Sequence, residues 1–160
     1  MTSAVRLGLC LVLAGSILSL ISACGAGPDE NSGGDEKRSS AKLMPLAMPV
    51  HDRLDPAGGD TTDWKKIEVP VYETVLTVRA WWDNPDAIAT IIMRDQFGGK
   101  MYTLDHNIGE RKNVWPDIKV REGTYLFEII GKTGLTVYTL EVTLEEGGPS
   151  RLPGAVPRPE

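Results

Sequence analysis

Short alternating runs of apolar and polar residues fill the second half of the chain. Leu76, Val78, Ala80 and Trp82 alternate with more polar positions, and the same period of two recurs from Tyr138 to Leu144. The run 88–93 is almost continuously apolar, which is typical of a strand that lies centrally in a sheet. The remaining runs of this kind are 67–71, 101–104, 118–120 and 125–130. A period of two with many β-branched and aromatic residues predicts half-buried strands.

Turn residues separate these runs. Asp83-Asn-Pro-Asp86 and Arg121-Glu-Gly123 stand between predicted strands, and Gly98-Gly99 and the segment from Gly131 to Gly134 predict hairpin connections. About seven short strands at such spacing predict an all-β domain, an antiparallel β-sandwich. We place this domain at residues 63–146.

The first residues follow another pattern. Arg6 is the only charged residue among residues 1–23, and the segment from Leu7 to Ile21 is apolar apart from Gly, Ser and Cys. A basic start, a short apolar run and small residues after it are typical of a secretory signal peptide. The apolar run is shorter than the ~20 residues that a membrane-spanning helix needs. An uncleaved membrane anchor is the alternative.

Ile21-Ser22-Ala23-Cys24 resembles the lipobox of bacterial lipoproteins. The resemblance implies that the signal peptide 1–23 is removed and that Cys24 carries diacylglycerol and an acyl chain such as palmitate. Each buried methylene contributes ~0.8 kcal/mol, so several chains hold a protein on a membrane. Gly25 stands where an aspartate would resemble an inner-membrane retention signal, which favours the outer membrane. Because Cys10 lies in the removed segment, the mature chain is left without a disulfide or a thiolate metal ligand.

The segments that flank the predicted domain are poor in residues that build a core. Residues 25–42 contain no aromatic or β-branched residue, so we predict that 24–62 is the lipidated cysteine followed by a flexible tether. Within it, the apolar segment from Leu43 to Val50 contains two prolines; it either lies extended on the surface of the domain or docks a partner. The tail 147–160 contains four prolines and is predicted to be disordered.

Composition excludes several functions. The chain has 17 Lys and Arg against 22 Asp and Glu, a net charge of −5, so no basic surface for nucleic acid is expected. His51 and His106 are the two histidines, their spacing does not fit a zinc site, and His106 is predicted to be a solvated turn residue. Motifs for a catalytic serine or a phosphate-binding loop are absent from the sequence. We therefore predict a protein that is not an enzyme and has no cofactor.

Two sets of residues are candidates for binding. Trp81 and Trp82 are adjacent and must point to opposite faces of a strand, so Trp81 faces outward if Trp82 joins the core. Trp115 and Tyr102 are expected to share a surface with Trp81, where exposed aromatic residues can anchor a partner; the alternative is that neighbouring side chains cover Trp81. Asp60 and Asp63 are weak candidates for a calcium site, because hard cations favour clustered carboxylates. The other loop aspartates, predicted to be turn and cap residues, are Asp83, Asp86, Asp95 and Asp105.

Asp63-Trp64, Leu76-Thr-Val78, Gly123-Thr-Tyr125-x-Phe127 and Tyr138-Thr-Leu140-x-Val142 together resemble the pre-peptidase C-terminal (PPC) domains of bacteria. The resemblance covers about 60–145, just over half of the chain. It implies a jelly-roll-like β-sandwich that is not catalytic and usually accompanies a secreted peptidase. Some members of the family bind calcium through an acidic run before the first strand, and that run is missing here.

The favoured hypothesis is a non-enzymatic lipoprotein of the cell envelope. Its sandwich is expected to dock another envelope protein within a cell-surface complex, such as a motility or secretion machine. A second hypothesis is a module that binds a glycan or peptidoglycan through Trp81 and Trp115. A third is an accessory module that calcium stabilises.

Overall fold

The computed structural model describes residues 33–70 and 73–146. The predicted signal peptide, Cys24 and the tail 147–160 lie outside the described residues. A single turn of 3₁₀ helix is formed by Arg38–Ser40. Within the described ranges no helix is long and apolar enough to cross a membrane.

Strands dominate the described part of the chain, which contains nine of them. Their bounds are β1 Lys42–Leu43, β2 Val50–Leu54, β3 Thr62–Val69, β4 Thr74–Trp82, β5 Ile88–Arg94, β6 Lys100–His106, β7 Lys112–Val120, β8 Gly123–Thr133 and β9 Thr136–Glu146. The seven strands predicted from the sequence correspond to β3 to β9. Gly98 and Gly134 both have positive φ, at 92° and 78°. Gly98-Gly99 joins β5 to β6, which pair as the predicted hairpin. The prediction of a hairpin at the segment from Gly131 to Gly134 is wrong, because β8 pairs with β3 and β5 whereas β9 pairs with β2 and β4.

The strands form two sheets that pack face to face. Sheet A has the order β1-β3-β8-β5-β6, and sheet B has the order β2-β9-β4-β7. All pairings are antiparallel except that of β1 with β3, which is parallel. The prediction of an all-β, antiparallel sandwich is confirmed.

The core lies between the sheets and follows the alternation in the sequence. In β4 the inward side chains of Leu76, Val78 and Ala80 are fully buried, and Trp82 is 3% exposed. Phe127 of β8 and Leu140 of β9 meet them in the same hydrophobic cluster. Burying such side chains contributes roughly 1.5–3 kcal/mol each, which is the main driving force for a domain that lacks disulfides.

The domain begins earlier than predicted. The prediction of a flexible tether up to residue 62 is wrong for the described part of that segment, because β1 pairs with β3 and β2 pairs along its whole length with β9. Met44 and Leu54 are 2% and 0% exposed and belong to the core. Alternation of apolar and polar residues does not predict these strands, because β1 has only two residues and the middle of β2, Val-His-Asp-Arg-Leu, is polar. The apolar segment that follows Lys42 therefore joins the two sheets, although its Met48 is exposed.

Candidate functional site

Three aspartates meet inside one end of the sandwich. Asp63 is on β3, Asp52 is on β2, and Asp35 precedes the 3₁₀ turn; the side chains have no exposed surface. One carboxylate oxygen from each lies within 4.8 Å of the others. Carboxylates this close repel one another in a medium of low dielectric, so the cluster requires positive charge or protonation.

Lys65 supplies that charge from β3. Its ammonium donates to Oδ2 of Asp35 at 2.6 Å and to Oδ2 of Asp52, and the side chain is 1% exposed. Lys42 approaches Oδ1 of Asp35 at 3.3 Å from the solvent side. Burial alone would lower the pKa of Lys65, but its bonds to the two carboxylates raise that pKa above the usual value. Burial raises the pKa of Asp52, against the effect of the lysine.

Asp63 occupies the inner side of this cluster, which we call the Asp–Lys cluster (Asp35, Asp52, Asp63, Lys65). The Tyr138 hydroxyl donates to Oδ2 of Asp63 at 2.7 Å, whereas no hydrogen-bond donor reaches Oδ1 within the described ranges. Burial raises the pKa of Asp63 to about 7, with a contribution from the neighbouring carboxylates. Burial and the same carboxylates also raise the pKa of Tyr138 well above its ordinary value.

The cluster differs from Asp60 and Asp63, the weak candidates for a calcium site in the sequence. Asp63 is a member of the group of possible ligands, but Asp60 is not; it forms an isolated backbone bridge with Asp55. Calcium takes six to eight oxygen ligands in most sites, whereas the Lys65 ammonium already lies between two of these three carboxylates. The residues therefore fit an internal ammonium group better than a calcium ion.

His106 lies in the interior, and the prediction of a solvated turn residue is wrong. It is 1% exposed and stacks on Trp82 with ring centroids 4.5 Å apart and planes 13° from parallel. Neither ring nitrogen has a hydrogen-bond partner among the described residues. His106 opposes Ala89, whose side chain faces the core, so the inward face of β6 continues two residues beyond Leu104, where the apolar run ends.

The Trp82 indole finds a polar partner that sequence reasoning did not identify. Its Nε1 donates to Oδ1 of Asn113 at 2.8 Å, and the Asn113 amide donates in turn to Glu110. Asn113 lies opposite the inward Ala80 on the neighbouring strand. Asn113 precedes the apolar run 118–120 from which this strand was predicted, so the alternation in the sequence gave no signal for its inward position.

Trp81 lies on the outer face of sheet B, as the alternation predicts. It is only half-buried, and the Lys112 ammonium lies 5.1 Å from its ring centroid. Such a cation–π contact at the surface contributes about 0.5–1 kcal/mol. The structure thus leaves part of the Trp81 ring open to solvent.

Trp115 and Tyr102 do not share the surface of Trp81, contrary to expectation. Trp115 opposes the inward Val78, whereas Trp81 opposes Lys112, so the two tryptophans lie on opposite faces of sheet B. Tyr102 of β6 instead meets Trp115 of β7, with ring centroids 6.5 Å apart. The sequence could not place them together, because β6 and β7 belong to different sheets.

The loop aspartates behave largely as predicted. Asp95 accepts hydrogen bonds from the backbone N–H groups of Phe97 and Gly99, and Asp83 accepts one from Val137. These contacts are ordinary turn and cap chemistry. Asp105 instead accepts a bond from the Thr90 hydroxyl across the β5–β6 pair.

Comparison with known proteins supports the fold. No family model matches the sequence, and no curated protein sequence matches it. The PPC domain of a collagenase from Bacillus anthracis is similar in structure, with a TM-score of 0.52 and 16% identity over 64% of this chain and 94% of that domain. This likeness supports a PPC-like β-sandwich and, at such low identity, concerns the fold alone.

Two other solved structures are more distant. A fucose-binding module of Streptococcus pneumoniae has a TM-score of 0.37 and 15% identity over 73% of this chain and 80% of its own. A mitogen of Yersinia pseudotuberculosis has a TM-score of 0.31 and 15% identity over 56% of this chain and 89% of its own. Likenesses at this level carry no argument about function.

Proposed function

We propose that this chain is a non-catalytic, lipid-anchored protein of the cell envelope, and that its sandwich docks another envelope protein within a surface complex. The anchor is Cys24, in the lipobox-like Ile21-Ser22-Ala23-Cys24. Gly25 after it favours the outer membrane.

The location of the reactive groups supports a non-catalytic role. Asp35, Asp52 and Asp63 have no exposed surface, and Lys65 and His106 are 1% exposed. A general acid, base or nucleophile must reach hydrogen-bond distance of its substrate. The aspartates and Lys65 form one buried cluster, and His106 stacks on the buried Trp82, so these groups lie in the interior.

The observation that carries the docking proposal is the exposed edge formed by β6 and β7. Met101 and Tyr102 of β6 are 37% and 41% exposed, and Val114 of β7 is 41% exposed beside Trp115. We call these four residues the β6–β7 rim. Each of the two strands is the last of its sheet, so among the described residues each has one backbone edge without a strand partner. Aromatic anchors beside free strand edges are features by which proteins bind protein partners.

Site-specific photocrosslinking in cells tests this proposal. A photoreactive phenylalanine analogue replaces Tyr102, and the control carries the same group at Met48, which is 58% exposed beside the opposite edges formed by β1 and β2. We expect one discrete adduct from position 102, identified by mass spectrometry as an envelope protein, and none from position 48. Removing an interface aromatic costs about 2 kcal/mol or more, so Tyr102→Ala should weaken binding to that protein roughly thirtyfold. Equal labelling from both positions, or no adduct from position 102, would contradict docking at this rim.

A further inference from the structure

Four side chains form a line across the outer face of sheet B, one from each strand. His51 of β2 opposes Thr139 of β9, Thr139 opposes Trp81 of β4, and Trp81 opposes Lys112 of β7. Directly opposed residues lie on the same face with Cβ atoms ~5 Å apart. We call this line the Trp81 row.

The row combines an aromatic surface with hydrogen-bonding groups. The Lys112 ammonium lies over the Trp81 ring, 5.1 Å from its centroid, so a cation and a partly exposed aromatic ring are in contact. Nδ1 of His51 and the Thr139 hydroxyl are 2.7 Å apart and hydrogen-bonded. His51 and Lys112 are exposed, while Trp81 and Thr139 are half-buried.

A second cation lies beside the row. Arg79 is two residues before Trp81 and therefore on the same face of β4. Its guanidinium is 3.4 Å from Glu141 and 3.2 Å from the Thr143 hydroxyl, and 32% of the side chain is exposed. Lys112 and Arg79 with Glu141 give this patch a net positive charge, in a chain whose total charge is −5.

We propose that the Trp81 row binds a glycan that carries carboxylate groups. An aromatic side chain offers a flat apolar surface against which the C–H face of a sugar ring can pack, and fixed polar neighbours orient the hydroxyls. Lys112 and Arg79 supply charge-assisted bonds to carboxylates. A neutral glycan would leave the two cations without a function in binding.

The position of the row favours a glycan over an acidic peptide. Extended peptides gain affinity by adding main-chain hydrogen bonds at a free sheet edge. Trp81 and Thr139 lie on β4 and β9, the two central strands of sheet B, whose backbone groups already pair with neighbours on both sides. Side chains alone are presented there. The aromatic residues of the two proposed surfaces are separate, because Trp81 and Trp115 lie on opposite faces of the sheet, although Val114 of the rim opposes Arg79 on the outer face.

Cosedimentation of the purified full chain with isolated peptidoglycan tests the inference, with chitin as the matched neutral glycan and soluble polyglutamate as a competitor. We expect saturable binding to peptidoglycan, much weaker binding to chitin, and little competition by polyglutamate. Trp81→Ala should weaken binding about tenfold or more, as truncation of an aromatic anchor does. Lys112→Gln should weaken it severalfold and make the remaining binding less sensitive to salt.

Tyr102→Ala is the matched control, because Tyr102 belongs to the β6–β7 rim. It should bind peptidoglycan like the wild type, whatever its effect on crosslinking to a protein. Should Trp81→Ala fail to fold by circular dichroism, Lys112→Gln decides the question, since Lys112 is exposed. The inference is overturned by absence of binding to peptidoglycan, by equal binding to chitin, by full competition from polyglutamate, or by unchanged binding of folded Trp81→Ala or of Lys112→Gln.

Discussion

Asp63 and Lys65 show how two ionisable residues of one strand are accommodated in an apolar interior by different partners. Both share the inward parity of β3 with Ile67 and Val69. An isolated buried charge costs several kcal/mol, but Lys65 is shared between Asp35 and Asp52, and Asp63 is hydrogen-bonded to Tyr138. Removing one member of such a network therefore lowers the free energy of unfolding by more than the network as a whole contributes to it.

Replacing the Asp63 carboxyl group should change the pH dependence of stability. Its folded-state pKa of about 7 lies above the unfolded value, so the folded state binds the proton more tightly. Stability from this group is therefore full below pH ~4 and is lost as the pH rises towards ~7, by about 2–4 kcal/mol. Asp63→Asn keeps an oxygen to accept from Tyr138 and has no charge, so it should remove this slope and be more stable than wild type at pH 8.

Urea unfolding between pH 4 and 8 measures this effect. The matched control is Asp86→Asn, which changes an exposed loop carboxyl and should leave the slope unchanged. Asp52, whose pKa is also raised, keeps a residual slope in both variants. If Asp63→Asn retained the full slope of the wild type, Asp63 would be charged in the folded protein.

Whether a side chain faces the core or the solvent could be predicted from the sequence only where the alternation within a single strand determines it. Alternation within β4 was enough to place Trp82 in the core and Trp81 outside. The same rule applied to β3 places Lys65 and Asp63 inward, and a charged pair on an inward face is the signal that was missed. The contact of Tyr102 with Trp115 depends on two strands from different sheets, and sequence periodicity carries no information on such a meeting.

At the scale of elements, β2 shows why the domain boundary was misplaced. Its inward positions hold Val50, Asp52 and Leu54, and its outward positions hold His51 and Arg53, so the two apolar residues stand at its ends and do not reveal the strand. The strand is specified by partners distant in sequence: the backbone of β9 and the Lys65 ammonium. β3 to β9, apart from β6, each bury at least two apolar residues at alternate positions, whereas in β6 Leu104 is half-buried and no apolar residue is fully buried. The sequence predicted all seven of these strands.

Truncation tests whether β1 and β2 belong to the folding unit. A chain that begins at Gly33 should unfold cooperatively, whereas one that begins at Thr61 should not, because it lacks β2 and the carboxylates that balance Lys65. Thermal unfolding followed by near-UV circular dichroism compares the two chains. In the longer chain, Leu54→Ala should cost about 2–5 kcal/mol by leaving a cavity, and the exposed Met48→Ala serves as its control. A cooperative transition of equal stability in the shorter chain would show that β1 and β2 are not part of the folding unit.

At the scale of the whole molecule, the early start of the domain limits its distance from the proposed anchor. Gly33, the first described residue, is nine positions after Cys24, whereas Thr62 is 38 positions after it. Fully extended, nine residues span at most ~32 Å. With Cys24 lipidated, the sandwich would therefore stay within this distance of the membrane that holds the lipid. A protein that binds the β6–β7 rim would have to lie within the same distance.

The two cysteines of the sequence allow a direct test of the anchor. Cys24→Ser removes the thiol that would carry diacylglycerol, so we expect the protein to leave the membrane fraction or to accumulate as an uncleaved precursor. Cys10→Ser changes a cysteine inside the proposed signal peptide and should leave a membrane-bound protein of mature size. Several acyl chains bind a membrane durably, so their loss should release the protein from it. Fractionation of cells with immunoblotting, with and without a carbonate wash, measures both outcomes. Membrane retention of Cys24→Ser at mature size would show that another segment holds the protein, and release of Cys10→Ser would show that the signal peptide itself was impaired.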